Sequence, residues 1–401
     1  MITPSFGVTA TERVLPKLAL NFLNASLDSR VTFTRTTGAS NPATYVNNNG
    51  YVANATNNQP RFDYNPITLA CKGLLIEESR TNLLTYSQVV GGTNWSVFNF
   101  GVALLPVVTT NFATAPDNTL TASRIEMSLG GGATSADYAI LQHFSITITT
   151  ATSYTASIYL KSNTASSYVV LFRDDLGASP SQLWTVTPTW QRFTVTYTSS
   201  TVSAYGVKLW LRGALGTSST ADILAWGGQY EAGAFGTSYI PVVATTLTRN
   251  PDVAVMTGTN FSDWYSTGVG GLVVSALPLT VSGICPSMQL DDGTANEIIA
   301  LRGNTTNPEL YIVDGGTPQA QLDAGTISAN TAYNLGSAWA LNSCAAAVNG
   351  GAVGTDTSAT MPTVTQARFG CDGTNYLNGH IQSVRYWPQR ITNAETQAFS
   401  K

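Results

Sequence analysis

The chain has 401 residues, of which 43% are apolar and only 10% are charged, and its net charge is −4. Charged residues usually make up about 25% of a soluble domain, so Thr, Ser, Asn and Gly take their place here. This composition favours a β-rich extracellular or virion protein over a helical cytosolic enzyme. The chain has neither the basic run that nucleic-acid binding needs nor an apolar run long enough to insert in a membrane.

Residues 1–85 are predicted to form an irregular β-rich region that serves attachment and assembly. Within it, the turn sequence from Asn47 to Gly50 separates Tyr45-Val46 from Tyr51-Val52. Asn and Gly tolerate positive φ, so this pattern predicts a β-hairpin. The remainder of the region has little regular alternation, and we expect it to gain order from neighbouring chains or domains.

Charge is concentrated at the end of this region, in Arg61, Asp63, Lys72, Glu77, Glu78 and Arg80. The two adjacent glutamates, Glu77 and Glu78, could be interpreted as paired catalytic acids. Neighbours in an extended chain point to opposite faces, however, and cannot flank one bond together. We therefore predict a structural clasp that ties this region to the first sandwich or to a sister chain. Its members are Arg61, Asp63, Glu77, Glu78 and Arg80.

Two antiparallel β-sandwiches are predicted to follow, over residues 86–247 and 248–401. Apolar and polar residues alternate in short runs such as 154–161, 193–198 and 207–212, between Gly, Asn, Ser and Pro turn signals. Short strands at this spacing are typical of sandwiches and jelly rolls, so the fold class is all-β. Near the C-terminus, Thr392 and Glu395 match a capping box and predict a short helix.

Trp210 is the leading candidate for contact with a glycan. It is predicted to share a strand face with Lys208 and Arg212, and a flat ring beside polar groups suits a sugar. Trp184, close to a predicted loop end, is a further candidate. The alternative is that these aromatic residues fill cores or cross-strand pairs, as they commonly do in sandwiches.

Metal and catalytic patterns are weak, and we predict no cofactor and no enzyme activity. Calcium is the alternative, held by Asp174-Asp175 or Asp291-Asp292-Gly293, although turn formation explains both sequences. Four separated cysteines and two histidines match no zinc pattern. His143 and His380 are predicted to be structural, and the cysteines to be buried thiols.

Several segments resemble known families. Most of residues 18–84, including PRFDYNP and GLLIEESRTNLL, resembles a block that recurs in bacteriophage tail-fibre-like and other virion surface proteins. Residues 153–162, 190–197 and 227–241, the last reading GGQYEAGAFGTSYIP, resemble the jelly-roll carbohydrate-binding-module superfamily. Residues 376–400 resemble concanavalin A-like (laminin G-like) domains.

The resemblance implies a non-enzymatic structural component of a phage virion, tail-fibre-like or on the capsid surface. Such a protein would dock on other virion proteins through residues 1–85 and form homotrimers. It would be made in the bacterial cytoplasm and not secreted, and the first residues lack the pattern of a signal peptide. One alternative is a receptor-binding adhesin that recognises host-surface glycans. A polysaccharide depolymerase is a third hypothesis, without a visible acid pair to support it.

Overall fold

A computed structural model describes residues 15–35, 43–172 and 182–401. Its strands from the N-terminus to the middle of the chain are β1 (Leu18–Asn21), β2 (Thr32–Thr34), β3 (Ala43–Val46), β4 (Val52–Ala55), β5 (Phe62–Tyr64), β6 (Cys71–Ile76), β7 (Arg80–Asn82), β8 (Trp95–Phe100), β9 (Leu104–Ala113), β10 (Ala122–Ser128), β11 (Tyr138–His143), β12 (Ser145–Thr147), β13 (Ser153–Ser162), β14 (Tyr168–Phe172), β15 (Gln182–Val186), β16 (Gln191–Thr198), β17 (Ser203–Tyr205), β18 (Lys208–Arg212), β19 (Thr220–Ala232) and β20 (Leu247–Arg249).

The remaining strands are β21 (Val253–Thr257), β22 (Gly270–Pro278), β23 (Ile284–Asp291), β24 (Ile298–Asn304), β25 (Asn307–Asp314), β26 (Thr317–Asp323), β27 (Tyr333–Ala340), β28 (Ser343–Val348), β29 (Gly354–Asp356), β30 (Gln366–Phe369) and β31 (Gly379–Trp387). Helices are few and short: a 3-10 turn (Phe22–Asn24), α1 (Thr259–Ser262) and α2 (Asn393–Phe399). The predicted all-β class is therefore confirmed.

The chain divides into two compact units that differ from the predicted regions. One unit joins the chain up to residue 32 with residues 254–401, and the other comprises residues 33–253. The predicted region 1–85 is thus shared between them. Strand pairing accounts for this division, because β1 pairs with β31 near the C-terminus, whereas β7 pairs with β20. Sequence adjacency does not reveal such long-range pairing.

The unit of residues 33–253 is a β-sandwich of two five-stranded sheets. One sheet has the order β16-β13-β19-β10-β9 and the other β15-β14-β18-β11-β8. The alternating apolar residues of both sheets meet in one core, for example Ile158 and Ile223 from the first and Leu141 and Leu209 from the second. Alternation at period two places these side chains on the inner faces and their neighbours on the outer faces.

The other unit is also a sandwich. One sheet contains β29-β28-β27-β22-β31 with β1 beside β31, and the second contains β21-β30-β23-β24-β25-β26. Helix α2 begins with the predicted capping box, in which the Thr392 hydroxyl accepts from the Glu395 amide. Its Phe399 ring stacks on Trp387 at 4.8 Å. No helix among the described residues is long and apolar enough to cross a membrane.

Candidate functional site

A buried charge cluster lies within the unit of residues 33–253. Its members are Arg35, Arg61, Glu77, Arg249 and Asp252, and all five side chains are 0% exposed. Arg61 lies 2.8 Å from Glu77 and also donates to Asp252, and Arg35 lies 2.9 Å from the second Asp252 oxygen. No substrate can reach groups that are so completely enclosed, so the cluster's role is structural.

The Glu77 carboxylate of the cluster is held ionised by its neighbours. Burial alone would raise the pKa of Glu77, but the charges of Arg249 and Arg61 and the hydrogen bonds from Ser238 outweigh it and hold that pKa well below its usual range. The Ser238 amide and hydroxyl both donate to Glu77, each at 2.7 Å. The Asp252 carboxylate also accepts from the Glu77 amide at 3.0 Å.

The five residues of the predicted clasp do not form one group. Only Arg61 and Glu77 enter the buried charge cluster. Asp63 accepts from the Val46 amide at 2.7 Å and from Lys72 at 2.9 Å, and Glu78 pairs with Arg80 at 2.6 Å. Arg80 also packs over the ring of Phe235, 4.7 Å from its centroid. Glu77 and Glu78 lie in the connection between β6 and β7 and have different partners.

Sequence reasoning missed three members of the cluster: Arg35, Arg249 and Asp252. Arg249 and Asp252 lie three residues apart, just after the predicted boundary between the two sandwiches at residues 247 and 248. Because the chain has so few charges, a cation and an acid three residues apart could have predicted this part of the cluster from the sequence. Arg35 is 217 positions from Asp252, and no local pattern connects them.

Lys208, Trp210 and Arg212 share one strand face, as predicted, but that face is covered. Trp210 is 7% exposed and Lys208 is 5% exposed. The Lys208 ammonium and the Arg212 guanidinium lie 5.0 and 5.4 Å from the Trp210 ring centroid, and the Tyr138 ring lies 5.2 Å away. The ring packs with Ile140 and Leu171 in a small apolar cluster. A sugar finds no open ring face there, which argues against Trp210, Lys208 and Arg212 as glycan contacts.

Trp184 lies in the main core of the sandwich. Its ring stacks between Phe172 at 4.6 Å and Phe193 at 5.1 Å, and it is 4% exposed. Both faces of the indole are occupied, so the expected sugar contact at Trp184 is corrected to a core position. It faces inwards because β15 pairs with β14 in a register that places Trp184 opposite the buried Val170.

A concave site does occur elsewhere on the same unit. It has a volume of about 460 Å³ and is hereafter called the amide-lined pocket, lined by Thr44, Asn47, Asn49, Tyr51, Val52, Ala53, Asn54, Gln88, Asp117, Asn118, Thr119, Trp226, Tyr239 and Pro241. Such a volume falls within the range of small-ligand sites, roughly 300–1,000 Å³. None of these residues was predicted to form a binding site.

The wall of the amide-lined pocket comes from two turns. One is the predicted hairpin of β3 and β4, in which the Asn47 side-chain oxygen accepts from the Asn49 and Tyr51 amides at 3.0 and 3.1 Å. The other is the turn at Asp117, whose carboxylate accepts from the Thr119 amide and hydroxyl. The Val52 amide donates to the Pro116 carbonyl at 2.9 Å and joins the two turns. The wall is therefore fixed by local hydrogen bonds.

Trp226 and Tyr239 close the bottom of the amide-lined pocket. Their ring centroids are 4.8 Å apart and their side chains are almost fully buried. The Trp226 indole donates to Thr121 at 3.0 Å, and the Tyr239 hydroxyl hydrogen bonds to Ser87 at 2.7 Å. These bonds use the polar atoms of both rings. Tyr51, at 41% exposed, is the ring of the pocket wall that is open to solvent.

The chemistry of the amide-lined pocket suits a neutral ligand with many hydroxyl groups. The side chains of Asn49, Asn54, Gln88 and Asn118 each carry a donor and an acceptor, and hydroxyl groups need both. Asp117 is the one charged side chain in the lining, and no Lys or Arg of the described chain lines it. An anionic ligand would therefore find no counter-charge.

The groups considered for metal binding or catalysis have other contacts. Asp174-Asp175 lie outside the described residues. Asp291 accepts from Arg368 and from the Gly293 amide, and Asp292 accepts from Thr294. The described part of the chain contains no group of three or more metal-binding side chains. The His143 ring nitrogens lie 2.9 and 3.1 Å from the Phe144 and Thr85 carbonyl oxygens, and burial lowers the pKa of His143.

The cysteines of the chain are free thiols. Cys285, Cys344 and Cys371 are buried, and Cys71 is half-buried. Burial raises the pKa of Cys344 and of Cys371 to about 11, so both are protonated at neutral pH.

Comparison with known proteins finds likenesses among solved structures. No protein-family model matches the chain, and no curated protein does. The chain is similar to the Ruminococcus gnavus IT-sialidase CBM40 bound to α2,3-sialyllactose, at 13% identity and a TM-score of 0.30, over 34% of this chain and 84% of that one. It is also similar to the CBM22-1–CBM22-2 tandem of Paenibacillus barcinonensis Xyn10C, at 11% identity and a TM-score of 0.26, over 78% and 99%.

A third solved structure is domains LG4-5 of the mouse laminin α1 chain, at 10% identity and a TM-score of 0.24, over 63% of this chain and 88% of that one. Likenesses this weak carry no argument about a ligand. The assignment to the β-sandwich class rests on the strand pairing and the shared core described above.

Proposed function

We propose that this chain is a non-enzymatic protein of a bacteriophage virion surface that binds a neutral carbohydrate in the amide-lined pocket. The proposal of a carbohydrate ligand rests on the amide-lined pocket. Its lining of side-chain amides, with the exposed ring of Tyr51 at the wall, matches a molecule with many hydroxyl groups and apolar CH faces.

The virion location rests on the sequence. The block that resembles phage surface proteins covers most of residues 18–84, and the charge-poor, Thr- and Asn-rich composition is consistent with it. The buried charge cluster adds a physical argument, because a projecting protein must keep its fold outside the cell. The ion pairs of the cluster hold together segments that are far apart in sequence.

A second candidate function is a purely structural one, in which the sandwiches are displayed without a ligand. One observation favours it: the rings of Trp226 and Tyr239 are almost completely covered, which leaves Tyr51 as the exposed ring. The two candidates differ in one measurable property, which is saturable binding of a glycan.

The test for the ligand is a glycan array with the full chain, followed by calorimetry on each positive glycan. Tyr51→Ala removes the exposed ring and Asn54→Ala removes one amide. Each should weaken binding about tenfold, because a lost contact of roughly 1.4 kcal/mol corresponds to that factor. Asn48→Ala is the matched control. It lies in the same hairpin turn outside the pocket lining and should bind like the wild type.

Two outcomes would overturn the proposed ligand. One is the absence of saturable binding to any arrayed glycan, which would favour the purely structural candidate. The other is a glycan that binds Tyr51→Ala and Asn54→Ala as tightly as it binds the wild type. The virion location has its own test, which is mass spectrometry of purified particles and gold labelling with an antibody to the chain. A chain that stays in the lysate and never purifies with particles refutes it.

A further inference from the structure

Asp117 lies in a tight turn in the wall of the amide-lined pocket. Among the described residues it is the one charged side chain of the lining. The Ala115 amide donates to the Thr119 carbonyl at 2.8 Å, and the Asn118 amide donates to the Ala115 carbonyl at 2.9 Å. Asn118 has a φ of +64°, which asparagine adopts more readily than most residues. The backbone of this turn therefore holds Asp117 in one position.

A chain of hydrogen bonds leads from the bottom of the pocket to Asp117. The Trp226 indole donates to the Thr121 hydroxyl at 3.0 Å. The Thr121 and Thr119 hydroxyl oxygens lie 2.6 Å apart, and the Thr119 hydroxyl donates to the Asp117 carboxylate at 2.7 Å. An ionised carboxylate only accepts and an indole only donates, so the Thr121 hydroxyl must donate to Thr119. The three donors all point towards Asp117, and dipoles aligned in this way stabilise its negative charge.

Only one oxygen of the Asp117 carboxylate accepts hydrogen bonds from the described chain. The Thr119 amide at 3.0 Å and the Thr119 hydroxyl at 2.7 Å both donate to Oδ1. Asp117 forms no ion pair with a described residue. Its side chain is half-buried in the pocket wall, so Oδ2 is available to a bound molecule and solvent screens the charge only in part.

The charge of Asp117 also acts on the bottom of the pocket. Burial is the main cause that raises the pKa of Tyr239, and the charge of Asp117 raises that pKa further. No Lys or Arg of the described chain lines the pocket to offset this charge. A molecule that binds there therefore meets a negative charge in the wall without a matching positive one.

We propose that Asp117 determines the specificity of the amide-lined pocket: Oδ2 accepts from a hydroxyl group of an uncharged sugar, and the charge rejects sugars that bear a carboxylate, sulfate or phosphate. This inference rests on the proposed carbohydrate-binding function and adds the residue that selects among carbohydrates. A hydroxyl donates to a carboxylate in a strong, charge-assisted hydrogen bond. An acidic group at the same place would bring two like charges to within about 4 Å of each other.

The amides of the lining cannot make this selection. A side-chain amide offers a donor to an anion as readily as it offers an acceptor to a hydroxyl group. Asn49, Asn54 and Asn118 would therefore bind neutral and acidic sugars alike. The preference depends on Asp117, which is an acceptor without a donor.

The test compares two forms of one glycan: the neutral glycan that binds most strongly on the array, and the same glycan after oxidation of a primary hydroxyl group to a carboxylate. Calorimetry with the full chain at low salt should show that the wild type binds the oxidised form at least about tenfold more weakly, since two like charges in a partly exposed site repel one another by roughly that factor or more. Added salt should narrow the difference, because it screens the repulsion.

Asp117→Asn removes the charge, while the asparagine oxygen can still accept from Thr119. This variant should bind the neutral glycan about fivefold more weakly, because a hydrogen bond to a charged acceptor is replaced by one to a neutral group. Its preference for the neutral form should fall below about threefold and depend less on salt. Circular dichroism should show that it is folded.

Glu126→Gln is the matched control. It removes the same charge from a side chain that is 42% exposed on the same unit and lies outside the pocket lining. Both affinities and the preference for the neutral form should remain those of the wild type. A preference that falls equally in Glu126→Gln and Asp117→Asn would assign the effect to the net charge of the protein and overturn the role of Asp117.

The test also separates this inference from the proposed function. If Tyr51→Ala weakens binding of the neutral glycan but Asp117→Asn keeps the full preference for it, the pocket binds carbohydrate and Asp117 does not select it. A wild type that binds the oxidised glycan as tightly as the neutral one likewise overturns the inference and leaves the proposed function standing. Absence of binding to any glycan refutes both.

Discussion

Arg61 and Glu77 form an ion pair of 2.8 Å in which neither side chain has any exposed surface. The Arg61 guanidinium also donates to the Thr44 carbonyl at 2.9 Å and to the Ser238 hydroxyl at 2.6 Å. The pair thus joins the hairpin region to the segment that follows β19. A buried ion pair is costly to break, because the partner that remains is an uncompensated charge in a medium of low polarity.

Arg61→Ala should therefore destabilise the protein by about 3–5 kcal/mol, measured by urea unfolding. Lys72→Ala is the control, since Lys72 and Asp63 form a pair at 2.9 Å in which Lys72 is 30% exposed. Such partly exposed pairs contribute at most about 1 kcal/mol. Equal losses of stability in the two variants would contradict the structural role assigned to the cluster.

The cluster also predicts how stability depends on pH. The pKa of Glu77 is lowered in the folded state from its ordinary value of 4.5, so its stabilising contribution is complete above that value. The contribution is lost as pH falls below it towards the folded pKa. In that window the wild type should lose about 1.4 kcal/mol per pH unit more than Glu77→Gln, which cannot titrate there. Unfolding curves between neutral and acid pH measure both slopes, and parallel slopes would refute the prediction.

Arg80 should contribute less to the stability of the protein than Arg61 does. It pairs with a partly exposed Glu78 and packs over Phe235, so Arg80→Ala should cost about 1–2 kcal/mol. The loss should appear in stability before any change in ligand affinity. Unchanged thermal stability and an unchanged oligomer in this variant would show that Arg80 has no structural role.

Gly233 provides an independent check on Arg80. A Cβ at Gly233 would lie 1.5 Å from the Arg80 guanidinium, at a φ of +134°. Gly233→Ala should therefore be strongly destabilising, and part of its cost should vanish in the Arg80→Ala background, where the clash is absent. Additive effects in this double-mutant cycle would mean that backbone strain accounts for the whole cost.

A substitution at Trp210 distinguishes between two candidate glycan sites, the covered strand face and the amide-lined pocket. Because its ring packs on Ile140 and Leu171 beneath two cations, Trp210→Ala should destabilise the protein by about 3 kcal/mol. Glycan affinity should remain that of the wild type. The opposite result, normal stability with glycan binding lost, would return the sugar site to the face of Lys208, Trp210 and Arg212.

Local sequence patterns predicted several elements well. The hairpin around Asn47–Gly50, the capping box at Thr392 and the strand face of Lys208, Trp210 and Arg212 are all present. In each case the determining interactions lie within a few residues: positive φ at a turn, a side chain that caps its own helix, and alternation along one strand. The all-β class follows from the same periodicity.

The alternation of apolar and polar residues along a strand does not predict whether a strand face is exposed to solvent or covered by other side chains. Trp184 and Trp210 both sit on regular strands, yet one lies between two phenylalanine rings and the other beneath Lys208 and Arg212. The neighbours that cover them come from other strands. The amide-lined pocket is likewise made by turns that are far apart in the chain, around residues 47 and 117, with its bottom from residues 226 and 239.

The sequence by itself determined that this protein is built of β-strands, where its turns fall, and that its few charges gather around residues 61–80. Only the tertiary structure decided which charges pair. Arg35, Arg61, Glu77, Arg249 and Asp252 converge from positions up to 217 residues apart. The physical reason is that a buried charge needs a partner in space, and strand pairing across the sandwich, not distance along the chain, brings those partners together.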